Sequence, residues 1–137
     1  MENQFGKTKD VGFQFGIRKT FPVSTKRVWD FLFSKKGINI WLGQLKNELQ
    51  IIKDYETENG ITGLIRVFEA NSHIRLNWKS THWENTSTVQ IRVIGNQTKT
   101  TIANHQEKLL DAEQRAEMKV YWNKIMKEIG TELLRYR

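Results

Sequence analysis

The order of the hydrophobic patterns constrains this chain's fold more than any other feature. Residues 49–106 form successive segments in which apolar and polar side chains alternate, as Ile74, Leu76 and Trp78 do with their polar neighbours. Such alternation predicts antiparallel strands with one covered face and one wet face. A single long amphipathic helix follows, predicted from Ala112 to Arg135. The apolar stripe of that helix can be covered only by the apolar face of the sheet.

The elements ahead of this run are one strand and two short helices. Aromatic alternation over residues 13–20 predicts the first strand, which ends at Pro22 because proline cannot donate to a strand ladder. Ser24 is suited to cap a helix over Thr25–Phe33, and the apolar segment Ile38–Leu42 predicts a second helical turn. The predicted strands of the later run are Leu49–Tyr55, Gly63–Glu69, His73–Lys79, Thr88–Ile94 and Lys99–Gln106. This order predicts an α+β fold.

Two features of the long helix predict how it starts and how closely it packs. Asp111 lies at its N-cap position with Gln114 three residues later, which is the spacing of a capping box. Gly130 lies inside the helix, where glycine costs about 1 kcal/mol relative to alanine. We therefore expect close packing at Gly130.

Composition limits the number of domains and the class of protein. The chain has 137 residues, with one proline, nine glycines and no cysteine. We expect one domain over residues 13–137 after a flexible segment at residues 1–12. The absence of cysteine fits a cytoplasmic location, and no apolar run is long enough for a membrane span. The net charge of +7 favours acidic partners or, non-specifically, nucleic acid.

Several short strings, taken together, carry a family resemblance. They are Phe21-Pro22-Val23 before Val28-Trp29, Gly37 to Trp41-Leu42-Gly43, Gly60 to Gly63 with Arg66-Val67-Phe68, Ser72 to Trp78, Thr88 to Val93, His105 to Leu109, and Arg115, Met118 and Trp122. With these strings in this order, the chain resembles the START-like (SRPBCC) superfamily. Within that superfamily, it is similar to the branch named after the activator of heat-shock protein 90 ATPase. The resemblance implies a helix-grip fold, in which a curved antiparallel sheet wraps around a long C-terminal helix, with two short helices after the first strand.

The same resemblance implies a cavity between the sheet and the long helix. Such cavities hold small apolar or amphipathic molecules in the superfamily, and a few relatives are cyclases or aromatases. The candidate lining residues are Trp41, Leu42, Tyr55, Leu76, Trp78, Ile91, Asn104, Met118, Tyr121, Trp122, Ile125 and Met126. Tyr55, Asn104 and Tyr121 would orient a ligand. An aromatic stripe of this kind is equally typical of a packed core, so both interpretations stay open.

A second interpretation is a protein-interaction module related to the chaperone activators. Arg66, Arg75, Lys79 and Arg92 fall on the polar side of neighbouring strands, and Trp83 lies in a polar loop. This surface would suit a chaperone or another acidic protein, although a solvated face explains the same charges. Nucleic acid is disfavoured because no RNA-binding aromatic motif accompanies them.

Catalysis and cofactors receive little support from the sequence. His73, His82 and His105 lack metal-ligand spacing, so we predict no metal and no cofactor. His105 and Glu107 fall on one strand face as an ordinary polar pair, and we predict no catalytic residue. A cyclase-like enzyme using His105, Tyr55 or Tyr121 is the weakest alternative.

Overall fold

The computed structural model describes residues 7–8 and 12–135. Its strands are β1 (Lys7–Thr8), β2 (Gly12–Phe21), β3 (Asp54–Glu56), β4 (Thr62–Glu69), β5 (His73–Trp78), β6 (Ser87–Gly95) and β7 (Thr100–Leu109). Its helices are α1 (Thr25–Leu32), α2 (Lys35–Trp41) and α3 (Ala112–Arg135). The expected flexible segment 1–12 falls largely outside the described residues. Only Lys7, Thr8 and Gly12 belong to described strands.

The strands form one antiparallel sheet covered on one face by α3. The described strands follow the order β1-β2-β7-β6-β5-β4-β3. The indole Nε1 of Trp122 donates to Gln106 Oε1 of β7 at 2.7 Å, and Gly130 lies against Phe21 of β2. α3 therefore runs along β2 and β7, and the predicted α+β helix-grip architecture is confirmed.

The long helix begins and packs as predicted, with one difference at its cap. Asp111 Oδ1 accepts from the backbone N–H of Gln114 at 2.8 Å, while Gln114 Oε1 accepts from the N–H of Leu110 at 2.9 Å. The reciprocal bond thus reaches one residue further back than in a standard capping box. A Cβ at Gly130 would lie 2.9 Å from Phe21 Cε1, so close packing there is confirmed. No helix in the described ranges is long and apolar enough to cross a membrane.

The predicted strand Leu49–Tyr55 is wrong over most of its length. Only Asp54–Glu56 forms a strand, and the chain before it is irregular. Ile51 and Ile52 are exposed, and Ile52 adopts a left-handed backbone with φ of 60°. Because Ile51 and Ile52 are exposed, they do not pack together on one buried face. The apolar pattern in the sequence therefore did not produce a strand here.

Two other boundaries shift for reasons visible in hydrogen bonding. The second helix begins at Lys35 rather than at Ile38, because Ser34 caps it: its Oγ accepts from the N–H of Gly37 at 3.1 Å. The last strand continues beyond Gln106, since Glu107 pairs with Thr88 and Leu109 pairs with Phe13.

Candidate functional site

A partly open cleft of about 800 Å³ lies between α2, residues 44–51 and strands β4 and β5. Its lining residues are Phe33, Lys35, Ile38, Asn39, Gln44, Leu45, Asn47, Glu48, Leu49, Gln50, Ile51, Ile65, Phe68 and Ile74. This volume lies in the range of roughly 300–1,000 Å³ that is usual for small-molecule pockets. We call this feature the cleft.

The cleft has an apolar floor and an aromatic wall. Ile65 and Ile74, from adjacent strands, are fully buried beneath it. The ring centroid of Phe33 lies 5.1 Å from that of Phe68 and 4.5 Å from that of Trp29. Trp29 also contacts Phe68, with 5.5 Å between their ring centroids. These tilted and edge-on contacts fix the wall, because each ring restrains its neighbours.

The corner between α1 and α2 positions the helical side of the cleft. A Cβ at Gly37 would overlap the carbonyl oxygen of Phe31, so the two helices meet there more closely than a side chain allows. The indole Nε1 of Trp41 donates to the carbonyl of Leu32 at 2.7 Å. The close contact at Gly37 and the hydrogen bond from Trp41 fix α2 against α1. This arrangement places Ile38 at the cleft.

The outer side of the cleft is an irregular segment, residues 44–53, which we call the strap. Backbone bonds hold its two ends: Gln44 accepts from the N–H of Glu58 at 2.8 Å, and Ile52 donates to Ile65 at 2.7 Å. The left-handed φ of Ile52 is unusual for a β-branched residue. The strap is therefore tied at both ends and bends sharply where it meets β4.

The polar side chains of the cleft are mostly neutral. Among its described lining residues, only Lys35 and Glu48 carry charge, and their signs are opposite. The other polar groups are the amides of Asn39, Gln44, Asn47 and Gln50. An apolar interior edged by neutral amides matches a small amphipathic molecule better than an ion.

The structure places the twelve predicted lining residues outside the lining of the cleft. Eleven are buried and Tyr121 is half-buried, but none of the twelve lines the cleft. Tyr55 lines a separate, more open cavity of about 600 Å³ with Asp54 and Asn77. Trp41 and Trp122 lie in the hydrophobic core between α3, α2 and the sheet.

A chain of hydrogen bonds crosses that core. Trp122 Nε1 donates to Gln106 Oε1 at 2.7 Å, Gln106 Nε2 donates to Ser87 Oγ at 2.9 Å, and Ser87 Oγ donates to the carbonyl of Trp78 at 2.7 Å. Within the described part of the chain, Trp78 Nε1 and both side-chain amide atoms of Asn104 have no partner. Sequence reasoning named Asn104 but did not anticipate the role of Gln106 on the same strand face.

The two predicted tyrosines are protonated at neutral pH. The Tyr55 hydroxyl donates to the carbonyl of Asn77, and Tyr121 donates to that of Trp41 at 3.4 Å. Burial raises the pKa of Tyr55 well above its usual value, with a smaller contribution from Tyr121. Burial also raises the pKa of Tyr121 to about 12. Both phenols can donate hydrogen bonds, but neither is placed to act as a base near pH 7.

His73 and His105 each contact a different polar side chain, and His82 is exposed in a loop. His105 Nε2 lies 2.8 Å from Gln14 Oε1, and Glu107 forms an ion pair with Arg75 at 2.6 Å. His73 Nδ1 lies 2.8 Å from Ser72 Oγ. Within the described residues, no group of three His, Asp or Glu side chains could hold a metal ion.

The candidate interaction surface is less basic than its sequence pattern indicates. Arg75 is neutralised by Glu107, and Arg66 lies where the β4–β5 register shifts. Trp83 is buried against Trp78, with 5.1 Å between their ring centroids. Trp83 therefore packs on its own neighbourhood rather than standing free to meet a partner.

Sequence reasoning missed the strap as the outer side of the site. The only signal was a run of amides, Gln44, Asn47 and Gln50, with Leu45 and Leu49 between them. Such a run looks like an ordinary loop until the fold places it against β4.

Comparisons with known proteins bear on the fold. No family model matches the chain, and no curated protein matches it. Among solved structures, DynU16, from the dynemicin biosynthetic locus, aligns with a TM-score of 0.78 and 14% identity over 88% of this chain, which spans only 46% of that one. CalU16 from Micromonospora echinospora aligns with a TM-score of 0.76 and 18% identity, covering 85% of this chain and 71% of its own.

A third solved structure belongs to a protein described as a chaperone activator. PFC0360w, described as an HSP90 activator from Plasmodium falciparum, aligns with a TM-score of 0.73 and 14% identity, covering 88% of this chain and 95% of its own. Identities this low indicate a shared fold and leave activity open. The chain therefore shares the helix-grip fold of these solved structures.

Proposed function

We propose that this protein binds a small hydrophobic or amphipathic molecule in the cleft. The observation that carries the proposal is the cleft itself, about 800 Å³ with a floor of Ile65 and Ile74 and an aromatic wall that includes Phe33 and Phe68. Burying an apolar ligand there would remove roughly 25 cal/mol of unfavourable hydration per Å² of apolar surface. The neutral amides of the strap would contact the polar end of the ligand.

The proposed site differs from the predicted one in position. Most of the twelve predicted residues belong to the hydrophobic core, and we propose that those nearest the cleft support its walls. Trp41 illustrates this role, because it packs edge-on against Phe33 with 5.9 Å between ring centroids. Phe33 in turn lines the cleft.

Binding of N-phenyl-1-naphthylamine, a neutral apolar fluorophore, tests the proposal. The chain offers a matched pair of exposed isoleucines: Ile51 lines the cleft and is 53% exposed, and Ile94 lies outside it and is 46% exposed. We expect Ile51→Asn to weaken binding about tenfold, since it places an amide against the apolar ligand. Ile94→Asn should leave binding unchanged.

Native mass spectrometry of the same samples gives the stoichiometry. A single fluorophore per chain, lost in Ile51→Asn alone, is the expected result. Equal weakening by both substitutions, or no binding by the unaltered protein, would remove the cleft as the ligand site.

A second candidate function is docking to a chaperone, which the likeness to PFC0360w favours. Arg66 is exposed on β4 and could contact an acidic surface. We expect Arg66→Glu to lower any stimulation of the ATPase of heat-shock protein 90 from the same organism. Lys124→Glu, a charge reversal at another exposed position, on α3, is the control. Absence of stimulation by the unaltered protein at low salt would count against this function.

The cellular location is also proposed rather than observed. We infer a cytoplasmic protein, which the absence of cysteine supports. Detection of the native protein after cell fractionation tests this directly.

A further inference from the structure

Asn104 is a buried amide on β7 whose hydrogen-bonding groups are unpaired in the described part of the chain. It is 3% exposed, and neither its Oδ1 nor its Nδ2 has a hydrogen-bond partner within the described residues. Gln106, two residues along the same strand face, has both amide atoms bonded, to Trp122 and Ser87. An unpaired buried amide costs roughly 1–3 kcal/mol, so its presence calls for a physical reason.

The position of Asn104 connects it to the cleft. Directly paired residues on successive strands form one row across the inner face: Phe68, Ile74, Ile91 and Asn104. Phe68 and Ile74 line the cleft. Strands are about 4.8 Å apart, so Asn104 lies about 10 Å from Ile74 along this row. The row therefore leads from the floor of the cleft to the unpaired amide.

The part of α3 that lies over Asn104 is apolar. Trp122 contacts Gln106, and Gly130 lies against Phe21, which pairs with Thr100. Asn104 lies on β7 between Thr100 and Gln106, so the part of α3 above it lies between Gly130 and Trp122. That part carries the buried residues Ile125 and Met126. Methionine is unbranched and flexible, and it adapts its packing more readily than other core residues.

We propose that the ligand site extends from the cleft along this row, and that Asn104 binds the ligand's polar group. This inference rests on the proposed function. An amide offers one acceptor and two donors, so it recognises a neutral group with a donor and an acceptor side by side, such as a carboxamide. A charged group is excluded by the cost of burying it at this apolar level. Asn104 is thus a specificity-determining residue.

Two probes of equal size test the proposal. Decanamide carries a donor and an acceptor, whereas 2-undecanone replaces the amide nitrogen with a methyl group. We expect the unaltered protein to bind decanamide about tenfold more tightly, as measured by displacement of N-phenyl-1-naphthylamine. Asn104→Leu should abolish this preference, and Asn104→Val serves as a second variant if the first does not fold.

Thermal unfolding separates a binding role from a structural one. Asn104→Leu should keep or raise the Tm, because it removes an unpaired amide from an apolar setting. Gln106→Leu is the matched control and should lower the Tm, since it breaks the bonds to Trp122 and Ser87.

Each contrary outcome has its own meaning. If both probes bind the unaltered protein equally, the role of Asn104 is wrong while binding in the cleft stands. If Asn104→Leu lowers the Tm as Gln106→Leu does, Asn104 is a structural residue. If neither probe displaces the fluorophore and the fluorophore itself does not bind, the proposed function fails and this inference fails with it.

Discussion

Trp122 and Trp78 are buried to nearly the same degree, yet their indole N–H groups differ. That of Trp122 donates to Gln106, while that of Trp78 has no acceptor within the described residues. Both rings make the edge-on contacts typical of buried aromatics, and each contacts Tyr121. At the scale of single residues, the two tryptophans differ mainly in one hydrogen bond.

This difference predicts unequal costs for the same substitution. Trp122→Phe leaves Gln106 Oε1 buried without a donor, whereas Trp78→Phe removes an unpaired donor. Since the loss of volume is equal, we expect Trp122→Phe to lower the free energy of unfolding by about 1–3 kcal/mol more than Trp78→Phe does. Urea denaturation measures both values. Equal costs would mean that the Trp122–Gln106 bond adds nothing to stability.

At the scale of elements, the contact between α1 and α2 decides whether the cleft has a helical wall. Ser34 ends α1 and starts α2 within one residue, since its Oγ donates to the carbonyl of Phe31 at 2.6 Å and accepts from Gly37. This dual use turns the chain sharply. Glycine at position 37 then lets the two helices approach, because a side chain would overlap Phe31.

Substituting alanine for two different glycines should therefore have unequal effects on stability. Gly37→Ala forces the helices apart, and we expect it to lower the free energy of unfolding by about 1–3 kcal/mol or more and to weaken N-phenyl-1-naphthylamine binding. Gly16→Ala is the control, because its Cβ would meet Asn104 O at an ordinary 3.7 Å. We expect Gly16→Ala to be neutral or slightly stabilising. Chemical denaturation and fluorophore titration measure both; a tolerated Gly37→Ala would contradict the close contact.

At the scale of the whole molecule, β6 and the strap differ in how many hydrogen bonds and buried contacts hold them. β6 pairs with neighbours on both sides and carries the buried residues Val89, Ile91 and Val93. The strap has backbone bonds at its ends and exposes Ile51 and Ile52. The cleft thus lies between a fixed sheet and a segment with few buried contacts.

Hydrogen exchange should reveal this contrast. We expect amides of the strap to exchange at least about tenfold faster than those of β6, because local opening needs less free energy where few apolar contacts are lost. Saturating N-phenyl-1-naphthylamine should slow exchange in the strap and leave β6 unchanged. Strap amides as protected as those of β6 would show that the cleft is closed by a rigid wall.

The local patterns of the chain were sufficient for most of the elements. The spacing of Met118, Trp122 and Ile125 predicted α3, and the alternation of Ile74, Leu76 and Trp78 predicted β5, because both patterns reflect one face buried against a common core. The prediction failed at residues 49–53. There Leu49 is half-buried while Ile51 and Ile52 are exposed, so the environment of these apolar residues cannot be inferred from periodicity.

The sequence by itself therefore determined the elements, their order and the apolar faces that join them, since hydrophobic periodicity and helix caps act over a few residues. Only the tertiary structure decided where a cleft remains between the packed elements. The aromatic stripe of α3 packs into a core, and the cleft opens instead beside α2, between side chains from segments distant in sequence. A packed face and a cavity wall need the same apolar residues, and only their three-dimensional fit distinguishes them.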